Sequence, residues 1–519
     1  MRILALGSDN FVKPLRTLGH EVHTTAGLGD AAARAAAQGD PEWPGLEVAA
    51  RARGLKFDAI LVTDDVGRRT LPTGLWAVDA VTIFYGVDAP LNGFWQLPYA
   101  RLFDLAFLDQ PRQAQELATV HAGAAWLPVG VEADLYLGRE REESMAGVGF
   151  VGVVDESLRP KRSAVLHKVS NISPLTVRGG RREHWFDTAR AAELYRSCPV
   201  VLNENLFPGV TTRPLEVMAA GGCLLSEAAP GSMDRLFQDG EHLVFFGPDN
   251  LEHKLKELLG DPALRRRLAQ AGQAEVRQNH DLSRRAEEII KRIEGILVRG
   301  HKERPRARGG EALRLEGEAL LWAGLRWPGQ GGAQRLARAA GRLQAAANNG
   351  AERLASYRSA GRALLALGNH YGALHYLSLA GEAGGPVDAL AWALAAWQAG
   401  KAGLARETLA GAGQPGGLPG QAGFHVAAAR LLGQAGQDLS AGFNRRGLDM
   451  ALWTGLEHLL EATALEPGEA GAWEDMGDLL MARGAPNQAH HCLGRAQALA
   501  GGERLAAKLA QSAREGYLA

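Results

Sequence analysis

From Arg2 to Phe246 the chain repeats one arrangement: a short apolar run, a polar loop, then a stretch with helical period. The run from Arg2 to Leu6 is followed by the loop "GSDN", a helix through Leu18 and a second run, "HEVHTT". "FDAILVTDD", "AVTIFYGVD" and "LFDLAFLD" then follow, each closing on an acid. Uninterrupted apolar runs are strands buried on both faces, and their alternation with helices requires a parallel sheet. The segment "AAWLPVGVEADLY" closes this unit with a Pro/Gly turn. A second α/β unit opens at "GVGFVGVV" (Gly147–Val154) and continues through "PLTVRG", "CPVVLNEN", "GCLLSEA" and "HLVFFG". It ends in long charged amphipathic helices. Residues 1–146 and 147–297 are therefore predicted to be two Rossmann-like halves in tandem. Such halves facing each other would make a cleft, the usual place for a small-molecule site.

At 519 residues the chain is too long for one core. The balance of 57 Lys and Arg against 58 Asp and Glu gives no global field for nucleic acid or anionic membrane. Cys198, Cys223 and Cys492 are scattered without CxxC spacing, which supports neither a disulfide framework nor structural zinc and fits a reducing cytoplasm. The N-terminus "MRILALGSDN" reads as a buried strand, not a signal peptide. No apolar stretch is long enough to cross a membrane.

Residues 298–312, "VRGHKERPRARGGEA", are basic and rich in breakers, and read as an exposed linker; a nucleic-acid contact is the alternative. Residues 313–519 shift to Ala, Leu and Gly at helical period. The spacing of Tyr357, Ala360, Gly361, Leu364, Ala373, Leu377 and Ala380 recurs in Trp473, Met476, Gly477, Leu480, Ala489, Leu493 and Ala496. Gly368 and Gly484 mark the turns, and Trp392, Gly400, Ala405 and Leu409 form a weaker third copy. This pattern resembles the tetratricopeptide repeat (TPR), whose arrays bind peptides or proteins on a concave face. A purely structural helical extension is the other reading.

Chemistry concentrates in the second α/β unit. Arg159, Lys161 and Arg162 stand where a strand's loop meets a helix, a place where dipole and cations together hold an anion. The strand ending at Asn203 leads into a loop with Gly209, Thr211 and Thr212, which can offer backbone N–H groups and hydroxyls to a sugar or phosphate. Arg213 follows, and Glu216 is placed on the first turn of the next helix. There it either complements the helix dipole or takes two adjacent ribose hydroxyls.

The motifs "FVG…RPKR", "LNEN…TTRPLEVMAAGGCLLSEAAPG", "LFQDGEHLVFFGPDNLEHKL" and "NHDLSRRA" resemble those of the GT-B glycosyltransferases, and of the CgeB-like, family 1/4-like group among them. The resemblance is strong over about 147–290, weaker over 1–146, and does not cover the repeats. It implies a nucleotide-sugar donor held by the second half, with Glu216 on the ribose, Arg162 and Lys161 at the diphosphate and Arg213 near the phosphates or sugar. Two departures stand out: Leu215 replaces the usual aromatic, and Pro208 stands eight residues before Glu216, where many retaining members carry a second Glu.

The fold class expected is α/β then all-α: two Rossmann-like domains of GT-B type followed by a TPR-like solenoid. The function expected is a metal-independent, cytoplasmic glycosyltransferase acting on a protein recruited by the repeats. A polysaccharide or lipid-linked glycan acceptor is the alternative, as is an inactive scaffold or sugar-nucleotide sensor. Inversion would need a general base, for which Asp88 is the first candidate, with Asp9 and Asp65 behind it. His20 and His23 read as helix-end and strand residues, and His280 as a structural residue closing an interdomain crossover.

Overall fold

The computed structural model describes the chain apart from residues 31, 34–39, 66–69, 139–142, 155–159, 180–186, 206–208, 248, 300–303, 328–330, 381–385, 412–420, 435–453, 483–485 and 516–519. The chain forms two compact units, Met1–Trp126 with Ile289–Leu479, and Leu127–Glu288 with Leu480–Ala519. Each holds one parallel sheet of Rossmann type, and a helix-rich region follows both sheets in the chain. None of the cysteines forms a disulfide. Among the described residues no helix is long and apolar enough to cross a membrane.

The first sheet comprises β1 (Arg2–Gly7), β2 (Glu21–His23), β3 (Ala59–Thr63), β4 (Val81–Gly86), β5 (Leu105–Leu108) and β6 (Ala124–Trp126). Their order is β2-β1-β3-β4-β5-β6. Sequence reading missed β6, because "AAW" is short and only half-buried and carries no branched apolar run. On one face Phe84 packs against Trp95, Tyr99 and Phe103, with ring centroids 5.3–6.1 Å apart. Such pairs add about 0.5–1.5 kcal/mol each beyond their burial. At the carboxyl end of β5, buried Asp109 accepts the backbone N–H groups of Asp88 (2.8 Å) and Ala89 (3.1 Å), and the Gln110 amide (3.1 Å). Burial, then the neighbouring Asp88 charge, raises its carboxyl to about 7.

The helical region is not independent of this sheet. Ala312, Leu315, Ala319 and Ala323 of the helix Gly309–Arg326 share one apolar core with Leu4, Ile60, Phe84 and Trp95. Trp327 meets Trp95 at 6.1 Å. Glu316 accepts the Gly74 N–H at 2.8 Å, and Arg335 pairs with Asp40 at 2.7 Å, both partners being buried. The segment read as an exposed linker is also corrected. Arg304 and Arg306 are buried, and the helix starts at Gly309. The reason lies in Asp104, the acid just before β5. Its Oδ2 accepts the Thr82 N–H at 2.9 Å and pairs with Arg306 at 3.4 Å and Arg304 at 3.5 Å. Further on, Gly361 lets two helices close: a Cβ there would lie 2.7 Å from Leu377 Cγ and 3.2 Å from the Ala373 carbonyl. Gly368 and Gly400 end helices with positive φ, whereas Gly484 lies outside the described residues.

The second sheet comprises β7 (Val148–Val151), β8 (Leu175–Arg178), β9 (Val200–Asn203), β10 (Leu224–Glu227) and β11 (Val244–Phe246), ordered β11-β10-β9-β7-β8. Read from its own first strand, this order reproduces that of the first five strands of the other sheet. The helix Pro486–Ala500 packs on the helix Pro160–Ser170 of the same unit. His280 is buried with its ring 4.7 Å from that of Phe237, and Arg285 donates to its Nδ1 at 2.9 Å. Burial and that cation lower its pKa to about 4.

Two outcomes follow for the first unit. Asp104→Asn leaves two buried guanidiniums without this counter-charge and should cost roughly 3–5 kcal/mol in denaturant unfolding, whereas exposed Asp58→Asn should cost little. Asp109 titrates higher folded than unfolded, so its contribution is full below about pH 4 and lost as pH rises through 7. Unfolding midpoints of the wild type should fall across that window by an amount worth up to about 4 kcal/mol. Asp109→Asn should flatten the profile.

Candidate functional site

In both sheets the strand order reverses direction beside the first strand, the point at whose carboxyl edge open α/β sheets generally bind ligands. In the second sheet this point lies between β7 and β9. The side chains gathered at these strand ends, and at neighbouring β10, are charged and largely buried. Lys161 Nζ lies 3.0 Å from both carboxylate oxygens of Glu227 and 3.2 Å from Glu204, and also donates to the Asn205 carbonyl. Arg162 Nε meets the other Glu204 oxygen at 2.7 Å, and its terminal nitrogen donates to the Val153 carbonyl at 2.9 Å. Both cations belong to the first turn of the helix Pro160–Ser170. Arg159 lies outside the described residues.

Arg213 comes from the helix Thr212–Ala219 and donates to Asn203 Oδ1 at 3.1 Å. Its guanidinium stands 4.8 Å from the Phe150 ring centroid, with that of Arg162 at 5.4 Å from the same ring. Burial, then the Arg162 charge, lowers the Arg213 pKa. Room for Arg213 depends on Gly152, because a Cβ there would meet its guanidinium at 2.7 Å. Asn203 is fully buried and donates to Asn205 Oδ1 (2.9 Å) and Ser226 Oγ (3.0 Å), which ties the ends of β9 and β10 together. Three cations thus stand among three carboxylates: Glu204 and Glu227 beside Lys161 and Arg162, and Glu216 and Glu204 acting on Arg213. Burial raises Glu227 to about 6 even with Lys161 beside it.

Glu216 is placed differently from the sequence expectation. The helix begins at Thr212 and holds no acid in its first turn, so Glu216 stands on the second, beyond reach of the helix-dipole argument. It is half-buried and accepts the Tyr195 hydroxyl at 3.3 Å, and the Tyr136 hydroxyl bonds it too. Both phenols are pushed above their ordinary pKa, first by burial and then by the Glu216 charge. Thr211 is the extended N-cap residue, but its side chain makes no capping bond. Gly209 is buried, Thr212 is exposed, and Pro208 lies outside the described residues.

Sequence reading missed Glu204, Glu227, Tyr136, Tyr195 and Phe150. The two acids were within reach, since "LNEN" and "LLSEA" each carry a glutamate at a strand end of a parallel sheet. Tyr136 had no local signal, because it precedes the second sheet in the chain and meets Glu216 only through folding.

In the first unit Asp88 is the N-cap of the helix Ala89–Ala100 and has a left-handed backbone (φ 53°), unusual for a residue with a Cβ. Asp109 holds its N–H. Asp9 and Asp65 leave β1 and β3, the strands that flank the reversal point of this sheet. Asp9 is exposed, while Asp65 accepts the Thr70 N–H (2.8 Å) and hydroxyl (2.9 Å) as a turn cap. His20 Nδ1 lies 3.3 Å from the amino terminus, and His23 on β2 lies 2.7 Å from Glu21.

Solved structures with a similar fold include a glycosyltransferase from Rickettsia africae, at 11% identity over 58% of this chain and 99% of that one, with TM-score 0.40. Anabaena HepE, solved with UDP and glucose, is 14% identical over 57% of this chain and 100% of that one, with TM-score 0.39. Sucrose-phosphate synthase from Thermosynechococcus elongatus is 11% identical over 58% and 100%, with TM-score 0.39. No curated protein matches the chain. A family model described as glycosyl transferase-like does match residues 161–291, which begin at Lys161 and take in Arg162, Asn203, Glu204, Arg213, Glu216 and Glu227. The segment 161–291, which holds most of the second sheet, is thus similar to glycosyl transferase-like domains.

Proposed function

We propose that the chain is a GT-B glycosyltransferase that moves a sugar from a nucleotide-sugar donor to an acceptor, and that the acceptor is a protein recruited by the TPR-like helices. The observation that carries this reading is the gathering of three cations, Lys161, Arg162 and Arg213, at the carboxyl edge of the second sheet, inside the segment matched by the family model. In the proposed reaction Arg213, Arg162 and Lys161 stabilise the departing nucleoside diphosphate without needing a metal. Glu216 takes the ribose hydroxyls, and Gly209, Thr211 and Thr212 line the donor, while Asn203, fully buried, holds Arg213 instead of touching the donor. Asp88 serves as general base in an inverting reaction, its N–H fixed by Asp109. One observation favours a second reading, an inactive sugar-nucleotide sensor: Lys161 and Arg162 are already paired with acids, and Glu216 with phenols.

Calorimetric titration of a nucleotide-sugar panel, with nucleotide release measured beside it, separates the two. Arg213→Ala should weaken donor binding about ten- to hundredfold, the range for a hydrogen bond to a charged group. Glu216→Gln keeps an acceptor for the tyrosines but loses the charge, and should weaken it at least about tenfold. Binding unchanged in both variants would reduce Glu216 to a partner of Tyr136 and Tyr195 and remove the donor site. Binding without turnover would favour the sensor. With labelled donor and cell extract, label that is lost to protease supports a protein acceptor; label in lipid or polysaccharide excludes it.

The pH dependence has a definite sign. A nucleotide-sugar diphosphate keeps its charge across pH 5–8, whereas Glu227 takes up a proton near 6. Its protonation releases Lys161 from one acid and makes the cluster more positive. Donor affinity should therefore rise as pH falls from 7.5 to 5.5, and Glu227→Gln should bind at pH 7.5 as the wild type does at 5.5.

A further inference from the structure

The basic run at residues 302–308 plays no part in the donor cluster, yet its arginines build a second charged feature. At the amino ends of β3 and β4, the sheet edge opposite Asp88, a cavity of about 680 Å³ is lined by Lys56, Arg304, Arg306 and Arg308. That volume suits a small ligand. Arg304 and Arg306 are more than nine-tenths buried, while Lys56 and Arg308 are exposed at the mouth.

The charges do not cancel. Arg304 and Arg306 share one buried carboxylate, Asp104, and their other bonds go to uncharged oxygens. These are the Ala80 carbonyl at 2.9 Å for Arg304, and the Val78 carbonyl and Thr82 hydroxyl for Arg306. Asp58 and Asp79 also line the cavity, but both are exposed, and Asp58 is tied to the Arg2 N–H at 2.7 Å. Burial lowers the Arg306 pKa to about 10, the direction expected where a guanidinium lacks full compensation. Phe57, Trp76, Val78 and Leu297 supply the apolar part of the lining.

We infer that this cavity binds a small molecule carrying a phosphate group on an aromatic or apolar body, with the phosphate against the arginines and the body on the side of Trp76 and Phe57. The anion supplies the counter-charge that Asp104 alone cannot give two guanidiniums, and the mouth cations draw it in. The site lies within the first unit and does not depend on the proposed donor site.

The test uses 1-naphthyl phosphate as probe and the full chain carrying Arg213→Ala, which weakens anion binding at the donor cluster. Calorimetry should show saturable binding of one probe per chain. Adding Lys56→Glu and Arg308→Glu, both exposed positions, should weaken it at least about tenfold while leaving the ligand-free unfolding temperature unchanged. Neutral 1-naphthol should bind at least about tenfold more weakly than its phosphate. Three results would each overturn the inference: no saturable binding to the Arg213→Ala chain, equal affinity in the charge-reversed chain, or naphthol binding as tightly as the phosphate.

Discussion

Parallel pairing is the constraint on which the rest of this structure depends. Every strand pair in both sheets is parallel, so each strand must be left by a loop at the same edge and re-entered from the other. All the loops that follow strands therefore collect at one edge, whatever their sequence. A strand order that reverses once then sends two of those loops to opposite faces of the sheet. In the second sheet that point is where Lys161, Arg162, Glu204 and Arg213 gather. Chemistry sits there because the topology brings polar backbone and strand-end residues together.

How much of this was legible follows from the range of the interactions involved. The buried strands, β3, β4, β5 and β9 among them, could be read because a buried parallel strand needs a continuous apolar run, which is a local property. Lys161, Arg162 and Arg213 could be read because helix starts after strands are local too. Their pairing with Glu204 and Glu227 could not, although each acid ends a legible strand. Glu227 reaches Lys161 across 66 residues, and Glu204 reaches Arg162 across 42. Glu216 was misplaced by one turn because Thr211 and Thr212 are both acceptable N-caps and Pro214 suits a first turn, so the starting residue was decided by packing. The basic run at 302–308 failed for a similar reason. Its composition is that of a solvated loop, and only Asp104, some 200 residues earlier, turns two of its arginines inward.

The core shared by the first sheet and the helix Gly309–Arg326 changes what the helical region is. Four of its residues stand in the same apolar cluster as the sheet, and Glu316 and Arg335 close buried bonds to residues 74 and 40. Cutting the chain after residue 312 would strip that face and expose Asp40 and Trp95 at once. Beyond it the helices Arg353–Ala366 and His370–Ala380 meet closely at Gly361, where a Cβ would strike Leu377. The helix Gly309–Arg326 is thus an extension of the first unit's core, not part of a separate domain.

The buried charges of the second unit point the same way by their cost. Taking Lys161, Arg162, Arg213, Glu204 and Glu227 out of water is expensive, and well-packed apolar residues of similar size would be as stable or more so. Glu227 registers that cost directly, since its carboxyl titrates near 6 despite a lysine at 3.0 Å. A fold seeking stability alone has no reason to assemble five such groups at the one edge where the loops after its strands collect. On the proposed reading the arrangement supplies a set of cations held in place before a ligand arrives, with Glu204 and Glu227 as stand-in anions. A diphosphate arriving there would then find its partners already oriented and would have to displace little more than hydrogen bonds to carboxylates, one of which gives up its charge close to neutral pH.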